Sequence, residues 1–152
     1  MSDLLDNKDR TILEILKQHS EYSTRKIAKK TNLPITTVHN RIKKLREIGA
    51  IKRFTIDLDY EKIGAPITAY IMVSAFSKSP DSKSIDQGKI ASIISKYPEV
   101  EYAETITGEK DLIIKVRARD MQEIDKVIMQ KIRQIDGVDK TLTFFVLSEF
   151  EK

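Results

Sequence analysis

The sequence predicts an α+β protein in which three N-terminal helices precede a longer part where strands and helices alternate. Two observations support this prediction. Apolar residues recur at helical spacing in the N-terminal third, whereas β-branched apolar runs alternate with helical patterns after Pro66. Charge follows the same division, because residues 1–64 carry 14 bases and 9 acids while residues 65–152 carry 13 bases and 14 acids. This asymmetry is typical of a chain whose first part binds nucleic acid.

Composition excludes several classes of protein. The 152 residues, of which 40% are hydrophobic and 33% charged, suffice for one domain or two small ones with a real core. No apolar run approaches the roughly 20 residues of a membrane span, and the polar, acidic N-terminus is unlike a secretory signal. The chain has no cysteine, so it forms no disulfide and carries no thiol chemistry. We expect a cytoplasmic protein with no membrane partner.

A first helix is predicted from its cap and its apolar spacing. Asp6 is a suitable N-cap, and the helix is expected to end near Ser20. Its apolar face is formed by Ile12, Leu13, Ile15 and Leu16. We expect this helix to pack behind the next two and to complete a three-helix domain.

The most informative stretch runs from Ser23 to Arg53 and carries ten Lys or Arg residues against one acid. Ser23 is a good N-cap for a short helix, which Thr31-Asn32-Leu33-Pro34 then interrupts. A second helix follows and ends at Gly49. Two short helices joined by a tight break are typical of a helix-turn-helix.

The second of these helices has one apolar and one polar face. Val38, Ile42 and Leu45 recur at helical spacing, so they form a buried stripe. The opposite face has short hydrogen-bonding side chains first and ammonium groups later, as a helix in a DNA major groove requires. An ordinary solvated helix is the alternative interpretation. The candidate DNA-contacting residues are Arg25, Thr36, Thr37, His39, Asn40, Arg41, Lys43, Lys44 and Lys52.

A strand linker is predicted after Gly49. Ile51, Phe54, Ile56 and Leu58 alternate loosely with polar residues, which is typical of a strand. Its start could be a wing that touches phosphate, or the strand could simply connect two domains. We therefore predict a DNA-binding domain at residues 1–50, a linker at 51–65 and a second domain at 66–152.

The second domain is predicted to have the order β-α-β-β-α-β, which is the ferredoxin-like arrangement with both helices on one face of the sheet. A loop with no assigned role, Ser77–Gly88, follows the first strand, and a hairpin turn, Gly108-Glu109-Lys110, joins the second and third. The predicted strands are Ile67–Phe76, Val100–Thr107, Asp111–Ala118 and Val138–Phe150, and the predicted helices are Lys89–Tyr97 and Asp120–Ile135.

Two features of this domain suggest partners. The last strand is apolar on both sides, and a lone sheet would leave one apolar face in water, so we expect an isologous homodimer. At the hairpin, Gly108 lets a ligand approach the backbone, exposed N–H groups can hold a carboxylate, and Asp111 can hold an α-ammonium group. The spacing alone favours a plain hairpin that Asp111 merely stabilises.

Nothing in the sequence indicates catalysis. His19 and His39 both lie in the N-terminal half, and no Ser/His/Asp, Cys/His or metal-ligand cluster is present. We therefore expect no catalytic residue, no metal site and no cofactor.

The whole chain resembles the Lrp/AsnC family of transcriptional regulators, through Leu33–Leu45, Gly49-Ala50-Ile51 and Thr107–Leu112. The resemblance implies a sequence-specific regulator that binds double-stranded DNA, with homodimers commonly assembling into octamers. The two recognition helices of a dimer would read a pseudo-palindromic operator. The resemblance also implies a small amino-acid effector, bound at an interface between dimers near Thr107, Gly108, Glu109, Lys110 and Asp111.

Two other functions remain open at this point. Siroheme decarboxylase has subunits that resemble the same family, but its chemistry should require His or Arg around a tetrapyrrole in the second domain, where no histidine occurs. An architectural DNA-binding protein of low specificity would need phosphate contacts alone. Asn40 argues against the second, because Asn can pair with adenine through two hydrogen bonds.

Overall fold

The computed structural model describes residues 4–76 and 84–150. The chain forms two compact units, Met1–Asp57 and Leu58–Lys152, and each buries its own hydrophobic core. The division falls inside the linker that the sequence predicts at residues 51–65.

Unit 1 is built from three helices, α1 at Asn7–Gln18, α2 at Thr24–Thr31 and α3 at Ile35–Glu47. The predicted caps are present, since the Asp6 side chain accepts from the Asp9 N–H and the Ser23 side chain accepts from the Lys26 N–H. The chain turns after α2 at Asn32, whose φ of 57° is left-handed and is tolerated by a short polar side chain. The predicted helix-turn-helix is confirmed.

The core of unit 1 comes from all three helices. Its buried side chains are Ile12, Leu16, Ile27, Ala28, Val38 and Leu45. The apolar stripes predicted for α1 and α3 therefore face inward, although Ile42 stays partly exposed. Burying an Ile, Leu or Val side chain contributes about 1.5–3 kcal/mol relative to exposing it. This packing stabilises the short helices more than their intrinsic propensity does.

A buried carboxylate connects α1 to α3. Asp9 is 1% exposed, and its side chain accepts both from the Asp6 N–H at 3.2 Å and from the Arg41 guanidinium at 2.7 Å. The same guanidinium reaches Asp6 at 2.7 Å. The Asp9 N–H and the Arg41 guanidinium hold the pKa of Asp6 below its ordinary value of 3.8. Hydrogen bonds to Asp9 and then to Asp6 raise the pKa of Arg41.

The prediction that the linker forms a strand is wrong. Residues 52–59 have no regular secondary structure, and no strand of the described chain pairs with them. A strand needs a neighbouring strand to satisfy its backbone N–H and C=O groups, and sequence alternation cannot supply one. Phe54 and Ile56 consequently leave 49% and 74% of their surface exposed.

Unit 2 is a four-stranded antiparallel sheet with its helices on one face. The strands are β1 at Ile67–Ala75, β2 at Val100–Thr105, β3 at Leu112–Ala118 and β4 at Val138–Phe145. The helices are α4 at Gln87–Ile94 and α5 at Met121–Lys126, which continues as a π-helical turn at Val127–Lys131 and a 3-10 turn at Ile132–Gln134. The strand order is β2-β3-β1-β4, so the predicted ferredoxin-like β-α-β-β-α-β order is confirmed.

Several predicted boundaries need correction. Helix α4 begins at Gln87, inside the predicted loop, because Asp86 caps it by accepting from the Lys89 N–H. Residues 77–83 of that loop lie outside the described residues. Strand β4 ends at Phe145 rather than Phe150, since β1 begins only at Ile67 and offers little further backbone to pair with.

The predicted long helix after Asp120 also differs. It changes from an α-helix to a π-helical turn after Lys126. Val127 and Ile132, five residues apart, are both fully buried there. A regular α-helix would place two such residues about 140° apart around its axis, at 100° per residue. The wider π-helical turn brings both side chains toward the sheet.

The two faces of the sheet differ in character. The inner face carries Ala69, Ile71 and Val73 of β1 and alternate residues of β3, packed under the helices. The outer face is apolar along β1 and β4, where Met72 lies opposite Leu142. Along β3 it is charged, with Lys115 and Arg117 paired to Glu101 at 3.1 and 3.0 Å. The predicted apolar outer face is therefore limited to the β1–β4 half.

Gly137→Ala should lower the free energy of unfolding more than Gly64→Ala. Both glycines have a positive φ, 99° and 82°, so either alanine is strained by about 1–2 kcal/mol. At Gly137, but not at Gly64, the new Cβ would lie 2.8 Å from Ile85 Cγ2, and such overpacking typically costs about 1–3 kcal/mol more. Heat denaturation followed by circular dichroism measures the difference. Equal losses would contradict the packing around Gly137.

Arg41→Met should destabilise unit 1 by about 3 kcal/mol, because it leaves the buried Asp9 carboxylate without its cation. Arg46→Met, on an exposed position of the same helix, is the matched control and should cost about 0.5 kcal/mol or less. Adding Asp9→Asn to Arg41→Met should restore much of the stability, since the amide oxygen keeps the cap without a charge. Urea denaturation monitors all three variants. If Arg41→Met were as stable as the control, the ion pair would have no compensating role.

Candidate nucleic-acid interface and hairpin site

The polar face of α3 is open along its length. Thr36, His39, Asn40, Lys43 and Lys44 are exposed, and Thr37 is half-buried at the edge of the face. Pro34 precedes the helix and gives it no side-chain cap, so its first N–H groups remain available to an anion. The order along the helix is the one that the sequence predicts, with short hydrogen-bonding side chains before the ammonium groups.

A groove lies on each side of this ridge. The larger one, about 710 Å³, brings Lys52 next to α3, and it is lined by Thr24, His39, Ile42, Lys43, Arg46, Glu47, Ile51 and Lys52. The smaller one, about 360 Å³, is lined by Asp6, Thr37, Asn40, Arg41 and Lys44. The proposed base-reading residue Asn40 and the candidate His39 thus face different grooves.

Two members of this surface, Thr24 and Arg46, are not among the residues predicted from the sequence. Arg46 lies three residues after Lys43, so helical spacing alone places both side chains on neighbouring positions of one face. Thr24 could not be found that way, because it belongs to the first turn of α2 and reaches the groove only through the fold.

The cations of this surface differ in their availability. Lys43 has an exposed partner, Glu47 at 3.9 Å, and such surface pairs contribute little. Arg25 is exposed at the start of α2 and lines neither groove. Arg41, in contrast, has its guanidinium held by Asp6 and Asp9. The structure therefore gives Arg41 an intramolecular partner in place of a phosphate.

The hairpin between β2 and β3 has an exposed tip. Thr107, Gly108 and Glu109 are exposed, and Gly108 has a φ of 126°, which a residue with a side chain rarely adopts. The Ile106 N–H donates to the Asp111 carbonyl at 2.9 Å and closes the loop. Lys110 is more enclosed, with its ammonium 3.4 Å from Ser74 Oγ and 3.3 Å from the Glu109 carboxylate.

Asp111 ties three elements of unit 2 together. Its N–H donates to the Val73 carbonyl at 2.9 Å. One carboxylate oxygen accepts from the Ala75 N–H at 2.8 Å, and the other accepts from Gln87 Nε2 at 2.6 Å. A carboxylate offers about four lone-pair positions, so this one retains capacity for another donor. Sequence reasoning placed Gln87 in a loop and gave no indication of this contact.

Other kinds of site find little support in the described parts of the chain. They contain no group of three or more His, Asp or Glu side chains placed to hold a metal ion. None of their helices is both long enough and apolar enough to cross a membrane.

Two family models match the chain. A winged helix-turn-helix DNA-binding domain matches residues 5–52, and the Lrp/AsnC ligand-binding domain matches residues 68–152. An HTH-type transcriptional regulator of Pyrococcus abyssi is 41% identical over 143 residues, covering 94% of this chain and 93% of its own. The HTH-type transcriptional regulator FL11 of Pyrococcus furiosus is 35% identical and covers 97% and 92%.

Solved structures show the same fold. Escherichia coli AsnC superposes with a TM-score of 0.79 at 28% identity, over 97% of this chain and 95% of its own. Bacillus subtilis LrpC gives 0.82 at 26% identity, over 98% and 99%. A Neisseria meningitidis transcriptional regulator, solved as a complex with L-methionine, gives 0.85 at 24% identity over 97% and 93%. The chain belongs to the Lrp/AsnC family of DNA-binding transcriptional regulators.

Proposed function

We propose that this protein is a sequence-specific, non-enzymatic regulator that binds an operator through α3 and responds to a small amino acid by a change in DNA affinity or assembly. The exposed face of α3 carries this proposal, because Thr36 and Asn40 precede Lys43 and Lys44 on a helix held by a buried core. Base edges can then meet the first part of the helix and phosphates the rest.

Within the operator complex, Asn40 and the two threonines read bases, while cations hold phosphate. The larger groove beside α3 gathers Lys43, Arg46 and Lys52, which suits a phosphate backbone running along that side. Arg25 adds a further exposed cation at the start of α2. Arg41 stays with its two carboxylates and supports α3 rather than contacting DNA.

A homodimer is the proposed binding form. The β1–β4 half of the outer sheet face exposes Leu142 and Phe144 opposite Met72 and Tyr70, and a second copy would remove this surface from water. Two copies of α3 would then read a pseudo-palindrome with half-sites about one helical turn apart, or a multiple of it. Family membership supports a further assembly of these dimers into an octamer.

An amino acid is the proposed effector, held at the hairpin. Gly108 permits close approach to the backbone of the exposed hairpin tip, whose N–H groups can bind the α-carboxylate, and Asp111 can accept from the α-ammonium. The L-methionine complex of the Neisseria meningitidis regulator supports an amino acid as the ligand class.

Asn40→Ala should cost roughly 1–3 kcal/mol on a cognate site selected from random DNA and should flatten specificity. Lys43→Ala should instead weaken binding to cognate and random DNA alike. It should also reduce by about one the slope of the logarithm of the binding constant against the logarithm of the salt concentration. Fluorescence-anisotropy titrations at several salt concentrations separate the two effects. Equal loss on both DNAs for Asn40→Ala would contradict its base-reading role and favour an architectural, phosphate-bound mode.

Asp111→Asn should abolish the thermal shift that the effector amino acid produces, because the α-ammonium loses a charge-assisted hydrogen bond worth about 1.5–3 kcal/mol. Asn is preferable to Ala here, since its oxygen can still accept from the Ala75 N–H. Glu109→Gln, which neutralises a neighbouring exposed acid, is the control and should keep the shift. An undiminished shift in Asp111→Asn would place the effector elsewhere.

A further inference from the structure

The two donors to the Asp111 carboxylate differ in how readily a ligand can replace them. The Ala75 N–H is part of the backbone at the end of β1, so it stays where the sheet places it. The Gln87 amide, 2.6 Å from the other oxygen, belongs to a half-exposed side chain that can rotate away. Of the two contacts, only the side-chain one is therefore open to exchange.

Both of these donors are neutral, although the acceptor is an anion. The Gln87 amide gives the carboxylate a hydrogen bond but no opposite charge, whereas an ammonium group adds Coulomb attraction to its hydrogen bond. A displaced Gln87 amide could turn toward water, so its release would leave no buried group without a partner. An ammonium ligand thus has an advantage over the group that it replaces.

We propose that Gln87 is a stand-in for the effector: in the free chain its amide occupies the position on Asp111 that the α-ammonium of the amino acid takes. This inference rests on the proposed effector site at the hairpin. Gln87 is the first residue of α4, and Asp111 directly precedes β3. The effector would therefore break the hydrogen bond that connects these two elements as it binds. The amide lowers the effector's apparent affinity and makes occupation of Asp111 detectable at the start of α4.

The test compares affinities for amino acids with and without the competing amide. Gln87→Met keeps the length of the side chain and removes its donor. Gln134→Met makes the same change at another amide, which donates to the Met129 carbonyl at 2.9 Å and does not contact Asp111. Gln87→Ala is a second variant in case the methionine packs differently. Melting temperatures establish that each variant is folded.

The twenty common amino acids, and the deaminated carboxylic acid of each one that binds, are titrated into the wild type and the variants by calorimetry. Gln87→Met should bind the effector amino acid roughly two- to tenfold more tightly, the equivalent of one competing hydrogen bond. The deaminated acid should show no such gain, because it has no ammonium group to place on Asp111. Gln134→Met should match the wild type.

The outcomes separate this inference from the proposed function. Equal or weaker amino-acid binding by Gln87→Met and Gln87→Ala, with normal binding by the wild type, would overturn the stand-in role and leave the effector proposal intact. A gain that extends to the deaminated acid would also overturn it. If neither the wild type nor any variant bound an amino acid, the proposed effector response itself would fall, and the stand-in role with it.

Discussion

An anionic side chain that is taken out of water must be compensated by a cation or by several hydrogen bonds, and this constraint organises both units. In unit 1, Asp9 is buried between α1 and α3, and the Arg41 guanidinium compensates it. In unit 2, Asp111 is half-buried between β1, β3 and α4, and two neutral N–H donors compensate it. Each carboxylate joins elements that lie far apart in sequence, so each fixes the geometry of the surface beside it.

The two solutions have different consequences for function. Asp9 and Asp6 share the permanently charged guanidinium of Arg41. Because Arg41 belongs to α3, this pairing holds α3 against the start of α1. That arrangement suits a helix whose exposed side chains must meet base edges in a single register. Asp111 has no such cation in the described structure, so its charge is only partly balanced. A site of that kind favours an incoming ammonium group, and a rigid ion pair there would exclude one.

Periodicity and capping residues were sufficient to predict most of the fold. The stripe of Val38 and Leu45 and the strands of unit 2 follow from spacing alone, because burial of one face is a local property of the pattern. The linker strand failed because pairing depends on a neighbour that alternation at Phe54 and Ile56 does not reveal. The change of pitch after Lys126 likewise depends on where the sheet lies.

The candidate site was less predictable than the fold, because more of it depends on contacts between residues that are far apart in sequence. Residues on one helix face, such as Asn40 and Lys43, could be grouped from sequence because helical spacing determines their neighbours. Arg41 lies on that same helix, yet its partner Asp9 is 32 positions earlier, and no spacing rule connects them. Gln87 meets Asp111 across 24 positions. Contacts of this type require the tertiary structure.

On the outer face of the sheet, charged residues lie along β3 and apolar residues lie along β1 and β4. Arg117 on β3 lies between Glu101 and Glu149, each at 3.0 Å, and its guanidinium stacks 4.1 Å from the centre of the Tyr60 ring. It thereby holds both the first turn of unit 2 and the segment after β4. Opposite Lys115 of β3, burial and the neighbouring Tyr70 hydroxyl raise the pKa of Tyr102 to about 12.

Arg117 thus holds the turn that contains Tyr60 and the segment that contains Glu149 on the charged side of the outer face. The half formed by β1 and β4 keeps Leu142 and Phe144 exposed. Charged residues at the centre of an interface are costly to desolvate, whereas an apolar centre beside a charged border is typical of a stable contact between subunits. The division of this face therefore favours a second copy that covers the β1–β4 half and leaves the ion pairs of β3 at the edge of the contact.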